Sequence, residues 1–524
     1  MAKTTFGCCV GYCSGSEMLD TAPSPDEACV RDMTELIELP ENKFREGNWV
    51  REGSTVSLRY IAPLLLVAAC ASDPDGVPDV APDGGLLTAV DMSDAVDQGA
   101  ANRDWQFEVL ERRPVTVNEL STNVELVRAI RPDGLAAYLQ YIHAALEPAP
   151  LVVVEQPYAG ISWSGDSIDE RWAAAGDGIH DDADGPAYDG DDVIGYQERT
   201  VQSLVDESVV WLANGISVVH VFGRFYAGRS IDDTLLDAAA GFHFAASRPG
   251  EVHLERVGAF GGSWGGMMAL FGLLHAPESV RVRAVAALTP VSDFADFVSW
   301  ASDEIPELYH GAADVRAFFS PYLRRVFAAV GHGVPTSISP EEWRPFTRHD
   351  VCGAAERQGA AVMLYHDDWD LLIPVRQSLE SAAACSAMEA IVWPREPVDY
   401  ETASFNHGPA PAELEFPIMF SFAMAQLAVA LTPVARDVII VAQPESLHRF
   451  LDLLHAARDA GRDIDSLATP ALANLCDSRV TYIAPDGSGG RGASLVSREL
   501  NSVFGTATTA ENVCPALIGG LLGT

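Results

Sequence analysis

The feature that most constrains the fold is a serine set among glycines at 257–266, which read Val-Gly-Ala-Phe-Gly-Gly-Ser-Trp-Gly-Gly. An apolar run typical of a strand leads into it, and a helical pattern at 267–274 follows it. Such a strand–turn–helix is so tight that larger residues beside the serine would collide, and its strain pushes the serine hydroxyl out above the sheet. We therefore predict Ser263 as a nucleophile, with the backbone N–H of Trp264 helping to hold an oxyanion.

A candidate acid follows a later strand. A serine hydroxyl is a poor nucleophile unless a base removes its proton, and that base needs an acid partner to orient it. The predicted strand at 361–365 runs into a loop at 366–374 that reads His-Asp-Asp-Trp-Asp-Leu-Leu-Ile-Pro. Asp370, four residues before the proline, fits the place of such a carboxylate best. The neighbouring Asp367 and Asp368 are the alternatives.

A candidate base follows the next strand. The predicted strand at 391–393 leads into a loop that contains Phe-Asn-His-Gly at 405–408. His407 is the only histidine beyond Asp370 that precedes the last helix of the main pattern, 413–431. We predict His407 as the base. The alternative is an ordinary histidine of a surface loop.

A second donor to the oxyanion is expected after the predicted strand at 151–154. That loop reads Glu-Gln-Pro-Tyr-Ala-Gly at 155–160, and the common His-Gly-Gly-Gly type of loop is absent from it. The hydroxyl of Tyr158, or a backbone N–H beside it, is then the candidate donor. Simple packing of the Tyr158 ring is the alternative.

The wider pattern indicates the α/β class. Short β-branched runs alternate with helical patterns from about residue 101 onward, which is typical of β–α units with a largely parallel sheet and helices on both faces. Runs such as 151–154 are apolar throughout, as strands covered on both faces are. The predicted strands lie at 105–110, 124–130, 135–142, 151–154, 217–222, 256–260, 285–288, 361–365 and 391–393.

Two segments depart from this alternation. Residues 293–350 are helical and rich in aromatic side chains. We interpret them as a helical cap over the site, although aromatics at helical spacing also occur in ordinary cores. Residues 435–524 form an extension after the main domain, 101–434, with a strand at 438–441, a helix at about 445–460 and a Gly-rich tail.

The amino-terminal part contains a candidate export signal. Residues 59–70 have a basic residue, a short apolar run and small residues before a cysteine, which is the layout of a secretion signal. The ending Val-Ala-Ala-Cys resembles the lipobox of bacterial lipoproteins, which predicts a lipid on Cys70. A buried strand at 61–69 is the alternative. Since a signal belongs near the start of a chain, a start codon at Met33 or Val56 would explain the residues ahead of it.

Composition predicts where the protein works and what it does not bind. Residues 71–100 combine many aspartates with proline and glycine, as solvated tethers do. After a mis-called start and signal at 1–70, we expect an extracytoplasmic lipoprotein or secreted protein that meets a membrane only through the lipid on Cys70. The net charge of −40 repels nucleic acid, which we exclude as a partner.

The cysteines of the body suit an oxidising compartment. Cys352 with Cys385 and Cys476 with Cys514 would each close a local loop as a disulfide, and four buried free thiols are the alternative. The aspartates clustered at 177–192 lack the spacing of an EF-hand. We expect a solvated loop there and neither a metal nor a cofactor.

The motifs carry a family resemblance over about 125–432. Gly-Gly-Ser-Trp-Gly-Gly at 261–266, and Asp370 to Pro374 with Gln377 after them, resemble the signatures of the prolyl oligopeptidase catalytic domain, which has the α/β-hydrolase fold. Asp-Gly at 133–134 and the run to Pro-Tyr at 157–158 resemble the X-prolyl dipeptidyl peptidase and cocaine esterase group, which places an oxyanion-hole tyrosine there.

The resemblance implies a serine hydrolase without a cofactor that cleaves a small peptide or ester through an acyl-enzyme. The chain departs from both groups. The stretch before residue 151 is too short for the oligopeptidase propeller, and the extension is too short for the usual jelly-roll domain of the esterase group. We favour a serine peptidase. A carboxylesterase is the alternative, and a non-catalytic binding lipoprotein is a further one.

Overall fold

The computed structural model describes residues 104–117, 120–144, 148–156, 159–163, 166–167, 197–223, 231–300, 346–368, 370, 372–394 and 415–523. The predicted signal and tether, the acidic cluster at 177–192, Tyr158 and His407 lie outside the described residues. No helix of the described part is long and apolar enough to cross a membrane.

The strands of the main domain form a nine-stranded sheet in the order β1-β2-β3-β8-β4-β9-β10-β11-β12. From β8 to β12 each neighbouring pair is parallel. The bounds are β1 Gln106–Val117, β2 Leu120–Ile130, β3 Ala136–Ile142, β4 Ala149–Gln156, β8 Ser217–Phe222, β9 Val252–Gly262, β10 Val282–Leu288, β11 Ala361–Asp367 and β12 Met388–Trp393.

The first part of the sheet is antiparallel, because β1, β2 and β3 pair in sequence and β3 pairs antiparallel with β8. The strands predicted at 105–110 and 124–130 are longer than expected, since Gln106 pairs with Ile130 and Val117 with Leu120 in a continuous ladder. A small sheet outside the main one contains β5 Ala159–Trp163, β6 Asp166–Ser167 and β7 Gln197–Thr200.

Alternate side chains of each central strand bury against different layers of helices. In β4, Val152 and Val154 belong to one apolar cluster, whereas Leu151 and Val153 belong to the other. This period of two in a strand that is apolar throughout is what a sheet covered on both faces requires. Each such side chain contributes about 1.5–3 kcal/mol of burial free energy.

The helices alternate with the strands as the sequence predicts. Their bounds are α1 Val201–Glu207, α2 Val209–Ala213, α3 Ile231–Ala238, α4 Ala240–Ser247, α5 Trp264–Leu274, α6 Phe294–Ser299, α7 Arg348–Gln358, α8 Arg376–Ala384 and α9 Glu415–Leu431. The predicted cap at 293–350 begins with α6 and returns at Phe346 and α7. Its middle, 301–345, lies outside the described residues.

The extension after α9 is a small α/β unit, which we call the C-terminal unit (438–523). The expected Gly-rich tail is instead strands and helices, because the turn at Gly487, with φ of 81°, lets β14 and β15 pair. The elements are β13 Val438–Val441, α10 Pro444–Asp459, α11 Asp465–Leu475, β14 Val480–Ile483, β15 Gly489–Arg491, α12 Gly492–Phe504 and α13 Val513–Ile518.

Two disulfides connect the cysteines of the body in the pairs that the sequence suggested. Cys352 bonds Cys385, which joins α7 to the end of α8. Cys476 bonds Cys514, which joins the end of α11 to α13 inside the C-terminal unit. The first bond therefore ties together the helices on either side of β11.

Candidate active site

Ser263 lies at the turn between β9 and α5 in a strained backbone conformation. Its φ is 54° and its ψ is −120°, a region that residues other than glycine rarely adopt. Its N–H donates to the carbonyl oxygen of Leu288, the last residue of β10, at 2.8 Å. Strained residues of this kind cluster at functional sites, because only the surrounding structure can hold them.

The glycines beside Ser263 are required by close backbone contacts. A Cβ atom at Gly261 would lie 2.2 Å from the carbonyl oxygen of Gly265, and one at Gly266 would lie 2.9 Å from Cβ of Pro290. Since no side chain fits at the first distance, the strand can meet the helix here only through glycine. The turn thus has the geometry of a nucleophile elbow.

The helix that follows the turn begins at Trp264. The first N–H groups of a helix have no acceptor within the helix and carry partial positive charge. A negative oxygen that forms next to Ser263 would therefore meet a favourable field. The indole of Trp264 is itself buried and packs edge-on against the ring of Phe297, with 5.7 Å between ring centroids.

Asp370 is held by the backbone of its own loop. Its Oδ1 atom accepts hydrogen bonds from the N–H of Leu372 at 3.0 Å and of Ile373 at 2.8 Å. The residue is only 5% exposed. The loop follows β11, two strands away from β9 in the parallel part of the sheet, which corresponds to roughly 10 Å at the spacing of neighbouring strands.

His366, on the strand before this loop, holds the loop in place through hydrogen bonds. It is fully buried, with Nδ1 at 2.8 Å from the hydroxyl oxygen of Ser378 and Nε2 at 2.8 Å from the carbonyl oxygen of Ile373. Because a carbonyl oxygen can only accept a hydrogen bond, Nε2 carries the ring proton and donates a hydrogen bond to the carbonyl oxygen of Ile373. Nε2 lies 3.9 Å from Oδ2 of Asp370, beyond hydrogen-bond distance. His366 is therefore a structural group of the loop and not a candidate base.

The alternatives to Asp370 occupy different positions. Asp368 forms an ion pair with Arg462 of the C-terminal unit, at 2.5 Å between Oδ2 and Nη1. Asp367 is the last residue of β11 and is fully buried, and its carbonyl oxygen accepts the N–H of Asp370 at 3.1 Å. Asp370 is thus the aspartate that the loop amides orient.

The strand order brings the described parts of the site to one edge of the sheet. Ser263 follows β9, Asp370 follows β11, and β12 ends at Trp393 before the segment that contains His407. The carboxyl ends of parallel strands share an edge, which is where sites of open α/β sheets form. His407 and Tyr158 lie outside the described residues, so their predicted roles stay predictions.

A buried acid at the same edge escaped the sequence analysis. Glu155 is 3% exposed near the end of β4, and neither of its carboxyl oxygens has a hydrogen-bond partner among the described residues. Burial, with a smaller effect from the charge of Asp237, raises the pKa of Glu155 well above its usual value. Asp237 in turn pairs with Arg131 at 3.2 Å. An acidic residue at the end of an apolar strand was the available signal.

Gln377, named above only for its place in a motif, anchors the base of the inserted segment. Its Oε1 accepts the N–H groups of Ser292 and Asp293, at 2.9 and 2.8 Å, and its Nε2 donates to Asp296. Asp293 also accepts from Arg348, where the chain returns, at 3.1 Å. The two ends of the predicted cap are therefore fixed to α8, the helix that follows the acid loop.

A second polar cluster lies away from this edge. Glu125 bonds His143 at 3.0 Å and Arg248 at 3.0 Å, and it also pairs with Arg112. Burial opposes its charge, but the hydrogen bond with His143 and the charge of Arg248 lower the pKa of Glu125 to about 2. Although Glu125, His143 and Glu251 could together approach a cation, the guanidinium groups already neutralise the carboxylates. We interpret the cluster as an ion network.

Comparisons with known proteins find only solved structures that are similar at low identity and low TM-score. No family model and no curated protein matches it. The acetyl xylan esterase of Paenibacillus sp. R4 is 14% identical, with a TM-score of 0.36 over 65% of this chain and 95% of that one. Acetyl xylan esterase 1 of Thermoanaerobacterium sp. JW/SL YS485 is 17% identical, with a TM-score of 0.31 over 57% and 87%. The Pyrococcus horikoshii acylaminoacyl peptidase is 16% identical, with a TM-score of 0.32 over 55% and 37%.

The chain's own sheet and serine turn have the arrangement of the α/β-hydrolase fold. Within the molecule this class is defined by the mostly parallel sheet with helices on both faces and by the strained serine turn that follows β9. The resemblance stated from the motifs at 261–266 and 370–374 is confirmed at this level.

Proposed function

We propose that the protein is a serine hydrolase that cleaves an ester or amide bond through an acyl-enzyme. The observation that carries the proposal is the strained turn at Ser263, followed two parallel strands later by the oriented carboxylate of Asp370. A chain that needed only a packed scaffold would have no reason to keep a serine at a positive φ. The hydroxyl at such a turn is presented to a ligand instead of to the core.

In the proposed acylation step, the Oγ atom of Ser263 attacks the carbonyl carbon of the substrate. His407 takes the hydroxyl proton as the new C–O bond forms, and the carbonyl electron pair moves onto oxygen. The N–H of Trp264 and the hydroxyl of Tyr158 stabilise that oxyanion. As the intermediate collapses, His407 returns the proton to the leaving alcohol or amine.

Deacylation repeats the sequence with water as the nucleophile. His407 accepts a proton from water, the hydroxide attacks the acyl carbon, and Ser263 leaves with its proton restored. Asp370 stabilises the imidazolium that forms in each step and keeps the ring in the right orientation. The balance requires no metal and no redox partner.

For the substrate we favour a small peptide, so that the protein would be a serine peptidase like the prolyl oligopeptidases. The motifs at 261–266 and 370–374 support this choice. A carboxylesterase stays the alternative. Hydrolysis of prolyl and aminoacyl p-nitroanilides beside p-nitrophenyl acetate and butyrate separates them. Activity on the esters alone would favour the esterase.

The direct test of serine catalysis uses Ser263→Ala with Ser247→Ala as the matched control. Ser247 is an exposed serine at the end of α4, and in the described part of the chain its hydroxyl bonds its own helix, at 2.7 Å from the Phe244 carbonyl oxygen. We expect the first variant to abolish hydrolysis and the second to keep the wild-type rate. Equal activity of both variants would exclude Ser263 as the nucleophile. A wild-type protein that binds these compounds without turnover would favour the binding lipoprotein.

We further propose that the protein works outside the cytoplasm, anchored by a lipid on Cys70 or secreted. The two disulfides support an oxidising compartment, since such bonds are rare in the cytosol. Mass spectrometry of the mature amino terminus should find a lipidated Cys70. A chain that begins at Met1 in the producing cell would contradict the anchor.

A further inference from the structure

The C-terminal unit reaches the loop that holds the candidate catalytic acid. Arg462, in the connection between α10 and α11, pairs with Asp368, with 2.5 Å from Nη1 to Oδ2 and 3.5 Å from Nη2 to Oδ1. Each of the two Nη atoms thus donates to a different carboxylate oxygen, a forked arrangement that fixes orientation as well as distance. Asp368 stands only two residues before Asp370.

The same unit covers the strand that precedes the candidate base. The ring of Trp393, the last residue of β12, packs against Phe450 of α10 with 4.6 Å between centroids. On the other side of that strand, Leu467 of α11 forms a cluster with Ala390 and Val392. The end of β12 is therefore held by residues of two C-terminal helices.

A backbone contact joins these two attachments. The N–H of Asp368 donates to the carbonyl oxygen of Trp393 at 3.0 Å, which links the acid loop to the end of β12. Charge also favours the attachment of a cation to this loop, because Asp367, Asp368 and Asp370 place three carboxyl groups within four residues of chain. Arg462 supplies a positive charge to this loop through its ion pair with Asp368.

We propose that the C-terminal unit braces the acid loop and the end of β12, and that Arg462 is the positioning residue that keeps Asp370 oriented through Asp368. The inference rests on the proposed function, since it assigns the extension a role in that same site. Among the described residues Arg462 bonds Asp368, so its effect on Asp370 passes through the loop.

The experiment compares Arg462→Ala, Arg462→Lys and Asp368→Asn with Arg491→Ala. Arg491 is the matched control because this arginine of the same unit forms an ion pair of 3.3 Å with Asp437, just before the unit, and both side chains are about half exposed. The full chain is used throughout. Thermal unfolding is measured for each variant, and we expect Arg462→Ala and Arg491→Ala to have similar midpoints, since partly exposed ion pairs add little to stability.

Hydrogen–deuterium exchange tests the brace without any activity. We expect the amides of Leu372 and Ile373, which bond Asp370, to exchange about three- to fivefold faster in Arg462→Ala and Asp368→Asn. The conservative Arg462→Lys should recover most of the protection, and Arg491→Ala should leave it unchanged. Unchanged exchange in both Arg462→Ala and Asp368→Asn overturns the proposal. If Arg462→Ala does not fold, Asp368→Asn alone decides.

Kinetics with p-nitrophenyl butyrate test the consequence for catalysis. We expect Arg462→Ala to lower kcat about tenfold and to leave KM within about twofold, because misplacement of an orienting group affects the transition state more than binding. Loss of stability with wild-type kcat would overturn the positioning role. If the wild type shows no hydrolysis, the proposed function fails, whereas the exchange result still decides whether the brace exists.

Discussion

The backbone N–H of Ser263 donates a 2.8 Å hydrogen bond to the carbonyl oxygen of Leu288. The bond attaches the strained turn to the end of the neighbouring strand β10, so the turn cannot relax without disturbing the sheet. The next residue, Thr289, also has a positive φ, 44°, and its N–H bonds the Tyr365 carbonyl oxygen of β11. A chain of backbone contacts therefore runs from the nucleophile toward the strand that carries the acid loop.

Gly261→Ala should destroy this turn. The added Cβ would lie 2.2 Å from the carbonyl oxygen of Gly265, and since that atom is backbone, the strand and helix must separate. We expect a loss of about 3 kcal/mol in the free energy of unfolding, measured by urea denaturation, together with loss of hydrolysis. Gly250→Ala is the control, because nothing lies within 4 Å of its Cβ position. Equal stability of the two variants would mean that the turn is not as tight as described.

Asp370→Asn should impair catalysis without unfolding the protein. The amide oxygen of asparagine can still accept from Leu372 and Ile373, so the loop keeps its hydrogen bonds. The negative charge that stabilises an imidazolium is lost, and we expect kcat to fall about 10,000-fold. Steady-state hydrolysis with Asp437→Asn as control measures the effect. A loss smaller than about tenfold would assign the acid to another residue.

Glu155→Gln should stabilise the protein at neutral and alkaline pH. Burial raises the pKa of Glu155 in the folded state, so the folded protein holds a proton that the unfolded chain releases above its ordinary pKa near 4.5. Stability therefore falls as pH rises above that value, toward the raised pKa of the folded state. The glutamine variant should lose less stability between pH 5 and pH 8.

The control for Glu155 is Glu255→Gln, an exposed residue on β9. It should follow the wild-type pH dependence. The free energy of unfolding is measured by denaturation at each pH. If it depends on pH in the same way in wild type and Glu155→Gln, Glu155 is ionised in the folded protein, contrary to the raised pKa.

Glu125→Gln should destabilise the protein at neutral pH, the opposite of the effect expected for Glu155→Gln. Burial raises the pKa of Glu125, but the hydrogen bond with His143 and the charge of Arg248 outweigh it and lower the pKa to about 2. The ionised form of Glu125 therefore stabilises the fold. This contribution, about 3 kcal/mol, is present above the unfolded pKa near 4.5 and is lost as pH falls toward 2. We expect the variant to be less stable at pH 7 and to lose less on acidification. If Glu125→Gln were as stable as the wild type at pH 7, the stabilising role of this ion network would be contradicted.

The sequence predicted the elements whose constraints are local. Gly261 and Gly265 beside Ser263 indicate the turn, and a Cβ atom at Gly261 would collide with the backbone of Gly265. The apolar run of β4 indicates a strand covered on both faces. The helix predicted at about 445–460 agrees with α10 to one residue at each end. The choice of Asp370 over its neighbours followed from motif position and stays a prediction, and the motif did not show that the amides of Leu372 and Ile373 bond its carboxylate.

Long-range partners could not be predicted. Periodicity shows that β1 and β2 are strands but not that they pair antiparallel with each other. Nothing local links Arg462 to Asp368, which are 94 residues apart in the chain. The Gly-rich composition near the end suggested a tail. Composition does not show that β14 pairs with β13, which lies two helices earlier in the chain.

The most direct test of the central claim is mass-spectrometric mapping of the adduct formed by a fluorophosphonate probe on the intact protein. The account predicts one adduct per chain on the peptide that contains Ser263, absent from Ser263→Ala and strongly slowed in Asp370→Asn and His407→Ala. An adduct on a different residue, or undiminished labelling of Ser263→Ala, would contradict it.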